Sequence, residues 1–162
     1  MNFQRTILLL LISFLFAACT PKEYVTQNAA FILFKTPTFN YADMGFIYEN
    51  ENEIKVEIYG SGQALMSLDI SETSVCMSRL ECMSKRAFNQ EVLHRRYPED
   101  IVENIFRGKP IFSGIGLRKK GDGFTQSIVK KEKYNIEYTV LNQQIVFRDT
   151  INAILIQVKK QY

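Results

Sequence analysis

Residues 54–70 read Ile54-Lys55-Val56-Glu57-Ile58-Tyr59-Gly60-Ser61-Gly62-Gln63-Ala64-Leu65-Met66-Ser67-Leu68-Asp69-Ile70. Apolar residues recur at every second position on both sides of the glycine-containing turn. Ile54, Val56 and Ile58 therefore share one face of a strand, and Ala64, Met66, Leu68 and Ile70 share one face of the next. Beyond Cys82 the apolar period lengthens. Phe88, Val92 and Leu93 predict a helix over 84–94, and Ile101, Val102, Ile105 and Phe106 predict a second over 98–107. Pro98 suits a first helical position, Glu99 and Asp100 complement the positive end of the helix dipole, and Gly108 with Pro110 ends the helix. A sheet with one apolar face and two striped helices must bury one another.

Outward from this stretch, alternating or short apolar runs predict further strands. Residues 30–35 and 41–48 lie before it, and 124–130, 134–141, 145–149 and 151–159 after it. Thr36-Pro37-Thr38 breaks the first pair, the acidic run Glu49 to Glu53 is a solvated turn, and Asn142-Gln143 joins two late strands. Residues 115–123, glycine-rich and basic, read as a loop. The expected fold class is α+β: a curved antiparallel sheet of seven or eight strands with two inserted helices covering its concave apolar face. The volume between them is either packed solid or available to a lipid.

The chain has 162 residues, 46% hydrophobic and 23% charged, which suits one globular domain with a real core. A formal charge of +3 is too weak a balance to argue for nucleic acid. Residues 1–18 read as a secretory leader: a short polar start with Arg5, then an apolar run from Ile7 to Phe16 too short to span a bilayer. Ala17-Ala18-Cys19 resembles the lipobox of bacterial lipoproteins, with Phe16 where Leu is usual, three places before the cysteine, and Leu15 one place earlier. This resemblance implies cleavage before Cys19 and a covalent lipid on it, and Thr20 next to it implies sorting to the outer membrane. The alternative is an ordinary signal peptide cut after Ala18, with Cys19 left as a thiol. Residues 19–28 then form a lipidated tether and 29–162 the single folded domain. Cys76 and Cys82 remain as an even pair in an oxidising compartment, where the choices are a disulfide pinning a strand-to-helix bend, two free thiols or a metal pair.

The sequence points to no enzyme. His94, the only histidine, sits beside Arg95 and Arg96 at an expected helix end, where the dipole favours a cation; it cannot by itself build a metal site. Gly114-Ile115-Gly116 lacks the third glycine of a dinucleotide fingerprint, and Gly60-Ser61-Gly62 joins strand to strand rather than strand to helix, as a serine nucleophile turn would require.

The order of elements over 30–160, best over 54–110, resembles the LolB family of outer-membrane lipoproteins, which receive other lipoproteins from the periplasmic carrier LolA. The residues that carry it are the two central strands with their Leu68-Asp69-Ile70 end, the run Tyr97-Pro98-Glu99-Asp100-Ile101-Val102-Glu103-Asn104-Ile105-Phe106-Arg107-Gly108-Lys109-Pro110, and Tyr134-Asn135-Ile136-Glu137-Tyr138. Where that family carries an exposed Leu between the central strands, this chain has Ser61. The resemblance implies a half-barrel with the two helices as a lid, a cavity for acyl chains, and as partners a membrane, a LolA-like carrier and its lipoprotein cargo, with no cofactor beyond the lipid on Cys19. The expected acyl lining is Phe31, Leu33, Val56, Ile58, Met66, Leu68, Phe88, Ile101, Ile105, Ile136 and Tyr138. Arg118, Lys119 and Lys120, with Lys130, Lys131 and Lys133, flank one strand and are expected to gather as a basic rim at the cavity mouth. Their alternative is a solvated loop.

Overall fold

A computed structural model describes residues 23–77 and 81–161. The leader, Cys19 and the first part of the tether lie outside the described residues. Eleven strands form one open, antiparallel, curved sheet: β1 (Thr26–Lys35), β2 (Asn40–Glu49), β3 (Ile54–Gly60), β4 (Gln63–Ile70), β5 (Ser74–Met77), β6 (Glu81–Ser84), β7 (Leu117–Lys120), β8 (Gly123–Lys130), β9 (Tyr134–Leu141), β10 (Gln144–Asp149) and β11 (Ile154–Lys160). Their spatial order is β6-β5-β4-β3-β2-β1-β11-β10-β9-β8-β7. Two meanders thus meet where β1 pairs with β11, Ile32 opposite Val158 and Phe34 opposite Ile156. Between β6 and β7 the chain makes helices α1 (Lys85–Glu91) and α2 (Ile101–Arg107) and a 3-10 turn (Phe112–Gly114).

The turns follow local chemistry. Ser61 and Gly62 both have positive φ, 52° and 80°, the two-residue geometry whose twist matches a hairpin. Asn142 and Gln143 do the same at 49° and 60° without glycine. Ser84 caps α1 by accepting from the Ala87 N–H, and Gly108 ends α2 in the left-handed region at φ 65°.

Several sequence expectations are corrected. The first strand starts at Thr26, three residues inside the segment read as tether, because Gln27 and Asn28 pair with Tyr48 and Ile47. The first helix stops at Glu91 rather than 94, and the second starts at Ile101 rather than 98. Pro98 instead accepts the Ile101 N–H in a preceding turn. Part of the loop read over 115–123 is strand β7, a short basic edge. The last strand begins at Ile154, since residues 150–153 turn, with Ala153 at φ 54°.

The cysteine link is a hairpin rather than a strand-to-helix bend. Cys76 and Cys82 face each other across β5 and β6 and are bonded. The bond clips the last strand pair at the sheet edge. Replacing both cysteines with Ala is expected to cost ~2 kcal/mol in urea unfolding, the entropy of so short a loop. A loss near zero would show that the edge strand holds itself.

Strand β1 also corrects the candidate lining. Ala30, Ile32 and Phe34 are buried on the concave face, so Phe31 and Leu33 point to the opposite, outer face and are half-buried. All five consecutive residues are apolar, so alternation cannot fix which set faces the core.

Candidate functional site

The region between helices and sheet is continuous and apolar. From β3 and β4 come Val56, Ile58, Met66 and Leu68; from β9, Ile136 and Tyr138; from the helices, Phe88, Ile101 and Ile105. All are buried and belong to one cluster, so these expected lining residues do come together. The expected lining left out Phe34, Phe106 and Phe147, each at most 1% exposed, which fill the centre with the Phe34 and Phe106 rings stacked at 6.4 Å. Phe106 lies in the α2 stripe and Phe147 stands two residues beyond buried Ile145 in β10, so a periodicity signal existed for both, whereas Phe34 ends a wholly apolar run that carries none.

This interior is closed to solvent. A cleft of about 370 Å³ lies beside α1 and the following loop, lined by Arg86, Asn89, Arg95, Arg96 and Tyr97 among others. A second of about 180 Å³ sits by Ile54, Ile70 and Cys76, and a third of about 330 Å³ by Leu65, Met66 and Met77. Of the expected acyl-binding residues only Met66 borders any of these three.

Polar ties fasten the helices at their periphery. Lys85, only 7% exposed, bonds Glu103 at 2.7 Å, and the other Glu103 oxygen takes the Arg107 Nε–H at 2.9 Å. Arg107 also donates to the Asn50 carbonyl at 2.9 Å and to that of Glu51 at 3.4 Å, fixing α2 to the β2–β3 turn. Burial alone would raise the Glu103 pKa, but the bonds from Lys85 and Arg107 outweigh it and hold the carboxyl below its ordinary range.

At the opposite end, the Tyr97 hydroxyl donates to buried Asp149. Asp149 also accepts from the Asn135 N–H at 3.0 Å, the Ile151 N–H at 3.0 Å and the Asn152 amide at 2.6 Å. Gln126 completes the fastening: its amide pairs with both backbone groups of Ile111 at 2.9 Å and donates to the Ile115 carbonyl at 2.8 Å. Several of these ties are long-range, Lys85 to Glu103 over 18 residues, Tyr97 to Asp149 over 52 and Arg107 to Asn50 over 57, and no local pattern announces them.

His94 lies beyond the end of α1, packed 5.4 Å from the Tyr97 ring. Burial first, then Arg96 and Arg95, hold its pKa below the usual histidine range despite Asp149, so the imidazole is biased to the neutral form rather than to the cation a helix end would favour. The expected basic rim divides in two. Arg118, Lys119 and Lys120 pair with residues 123–125 at one end of β8, while Lys130, Lys131 and Lys133 surround the turn at its other end. Seven strand steps separate Gly123 from Lys130, about 23 Å at the usual rise. Arg96 and then Lys130 depress the Lys133 pKa, so Lys133 feels the charge of the α1–α2 loop.

Among the described residues no group of three or more His, Cys, Asp or Glu is placed to hold a metal, and no helix is long and apolar enough to cross a membrane. Compared with known proteins, the chain matches no protein-family model and no curated protein.

Proposed function

We propose that the protein is an outer-membrane lipoprotein of LolB-like fold, held on the periplasmic face by a lipid on Cys19, that binds acyl chains between helices and sheet and receives lipoproteins from a LolA-like carrier. One observation carries the reading: two seven-residue helices cover the apolar face of an open sheet and are tied to it at the periphery by a few polar bonds. Parting the helices breaks those ties and uncovers side chains worth roughly 1.5–3 kcal/mol each in burial. An entering chain returns about 0.8 kcal/mol per methylene buried, so about a dozen methylenes offset roughly 10 kcal/mol. Exchange of side-chain contacts for acyl contacts is therefore near balance. Transfer then needs no nucleotide, only tighter acyl binding than the donor has.

The test is binding of a fluorescent long-chain acyl probe. Saturable binding displaced by palmitate is expected, and Arg107→Ala, which cuts the tie to the β2–β3 turn, should take up probe several-fold faster while losing about 1–3 kcal/mol of stability. Depletion of the protein should leave lipoproteins stalled before the outer membrane. The closed interior favours a second reading, a non-catalytic lipoprotein that braces an envelope assembly. In that case neither protein binds probe saturably and lipoprotein sorting is unchanged by depletion.

A further inference from the structure

The face of the sheet turned away from the helices carries its own pattern. Phe31 and Leu33 on β1, Met44, Phe46 and Tyr48 on β2 and Tyr59 on β3 form a contiguous aromatic and apolar patch that no described helix covers. Phe31 stands opposite Met44, and Phe46 has its ring 6.1 Å from Tyr48 and 5.9 Å, edge-on, from Tyr59. Met44 is 44% exposed.

The charged groups within this patch are spent on one another. Lys55 pairs with Glu57 at 2.6 Å, the Tyr59 hydroxyl donates to Glu57 at 2.8 Å, and the Lys55 ammonium lies 5.8 Å from the Tyr48 ring centre. Charges satisfied this way lose least when water is withdrawn from them. Exposed cations border the patch: Lys159 stands opposite Phe31, and Lys35 and Arg148 both pair with Leu155.

The chain enters the domain at this patch. The Tyr24 ring lies 5.5 Å from that of Tyr48, and Val25, 79% exposed, donates its N–H to the Glu49 carbonyl at 2.9 Å. Cys19 is five residues before Tyr24 in the sequence. Five residues of chain, at no more than ~3.6 Å each, span at most about 18 Å.

We propose that the outer face of β1–β3 is a docking surface for the lipid bilayer, seated at the headgroup level with the helices turned away from the membrane. This rests on the reading of Cys19 as the lipid anchor. Rings with polar tips favour the boundary between headgroups and acyl chains, and bordering cations complement anionic headgroups. A two-fold contact with a second copy would instead set the same cationic border against itself. The orientation leaves the helical side free for a soluble carrier.

The experiment uses the full mature protein in vesicles of phosphatidylethanolamine and phosphatidylglycerol, with or without brominated acyl chains. A bimane label is placed at Met44→Cys or, on the helical side, at Gln90→Cys. Several-fold stronger bromine quenching at position 44 than at position 90 is expected. Equal quenching in a protein whose intact mass includes acyl chains overturns the docking face and leaves the anchor standing. Selective quenching at position 44 in a protein without acyl chains overturns the anchor and keeps the face. Excimer emission from pyrene at position 44, in place of bromine quenching, identifies a second copy as the occupant and overturns the proposal.

Discussion

Asp149→Ala is expected to cost about 3–5 kcal/mol in urea unfolding, because one carboxylate satisfies many donors at once. The substitution strands the buried Tyr97 hydroxyl and withdraws acceptors from the Asn135 and Ile151 N–H groups and the Asn152 amide. Tyr97→Phe removes one donor and leaves the carboxylate its other partners, so it should cost only about 1–2 kcal/mol. Burial by itself would raise the Asp149 pKa, but the bonds from Tyr97, Asn152 and the Asn135 and Ile151 backbones together outweigh it and lower it. A carboxyl whose folded pKa lies below its unfolded value of about 3.9 contributes fully above that value, and the contribution is lost as pH falls through the folded pKa. Wild-type stability should therefore drop below about pH 4, and Asp149→Asn should flatten that limb. A loss of less than about 1 kcal/mol for Asp149→Ala would mean that water replaces the carboxylate.

Gly45→Ala is expected to do at least as much damage, about 4 kcal/mol or failure to fold. A Cβ on Gly45 would stand 2.0 Å from the Glu57 carbonyl oxygen and 3.1 Å from the Ile32 side chain. The oxygen belongs to the backbone of β3, so β2 and β3 must move apart near the middle of the sheet, where Gly45 faces Ile58 and Ala30. Gly62→Ala is the comparison. Its φ of 80° carries the usual left-handed strain of roughly 1–2 kcal/mol, but nothing lies within 4 Å of the added carbon. A loss at Gly45 no larger than that at Gly62 would show that β2 and β3 part around the added carbon at little cost.

The first strand of the central hairpin was legible because Ile54, Val56 and Ile58 are buried and Lys55 and Glu57 are not, whereas β4 departs from the expected alternation at its start, where Ala64 and Leu65 are both exposed beside a register shift. Strand β1 was legible as a strand but not in its phase, and the two misplaced residues, Phe31 and Leu33, follow from that. Strand β7 escaped because Arg118-Lys119-Lys120 carries the charge expected of a loop, and an exposed edge tolerates the same charge. The helices were legible from their stripes, but their ends depend on partners elsewhere. Tyr97 is drawn to Asp149 52 residues away, which holds the α1–α2 connection as a loop. The peripheral ties are of this kind: Arg107 reaches Asn50 across 57 residues. Periodicity reports which face of an element is buried, and it is silent about which distant polar group meets it.

The β1–β11 pairing at the middle of the sheet also bears on how the chain folds. Every other strand pair joins neighbours in sequence or spans a short turn, whereas this one brings together residues such as Ala30 and Lys160. A chain synthesised N-terminus first can form the β1–β6 meander early, but β1 keeps one unpaired edge until the eleventh strand arrives, and loop closure over such a span is slow. The two meanders are thus expected to acquire protection before the seam between them does. In pulse-labelling hydrogen exchange during refolding, the amides of Phe31, Leu33, Gln157 and Lys159, which point across the β1–β11 seam, should be the last in the sheet to be shielded.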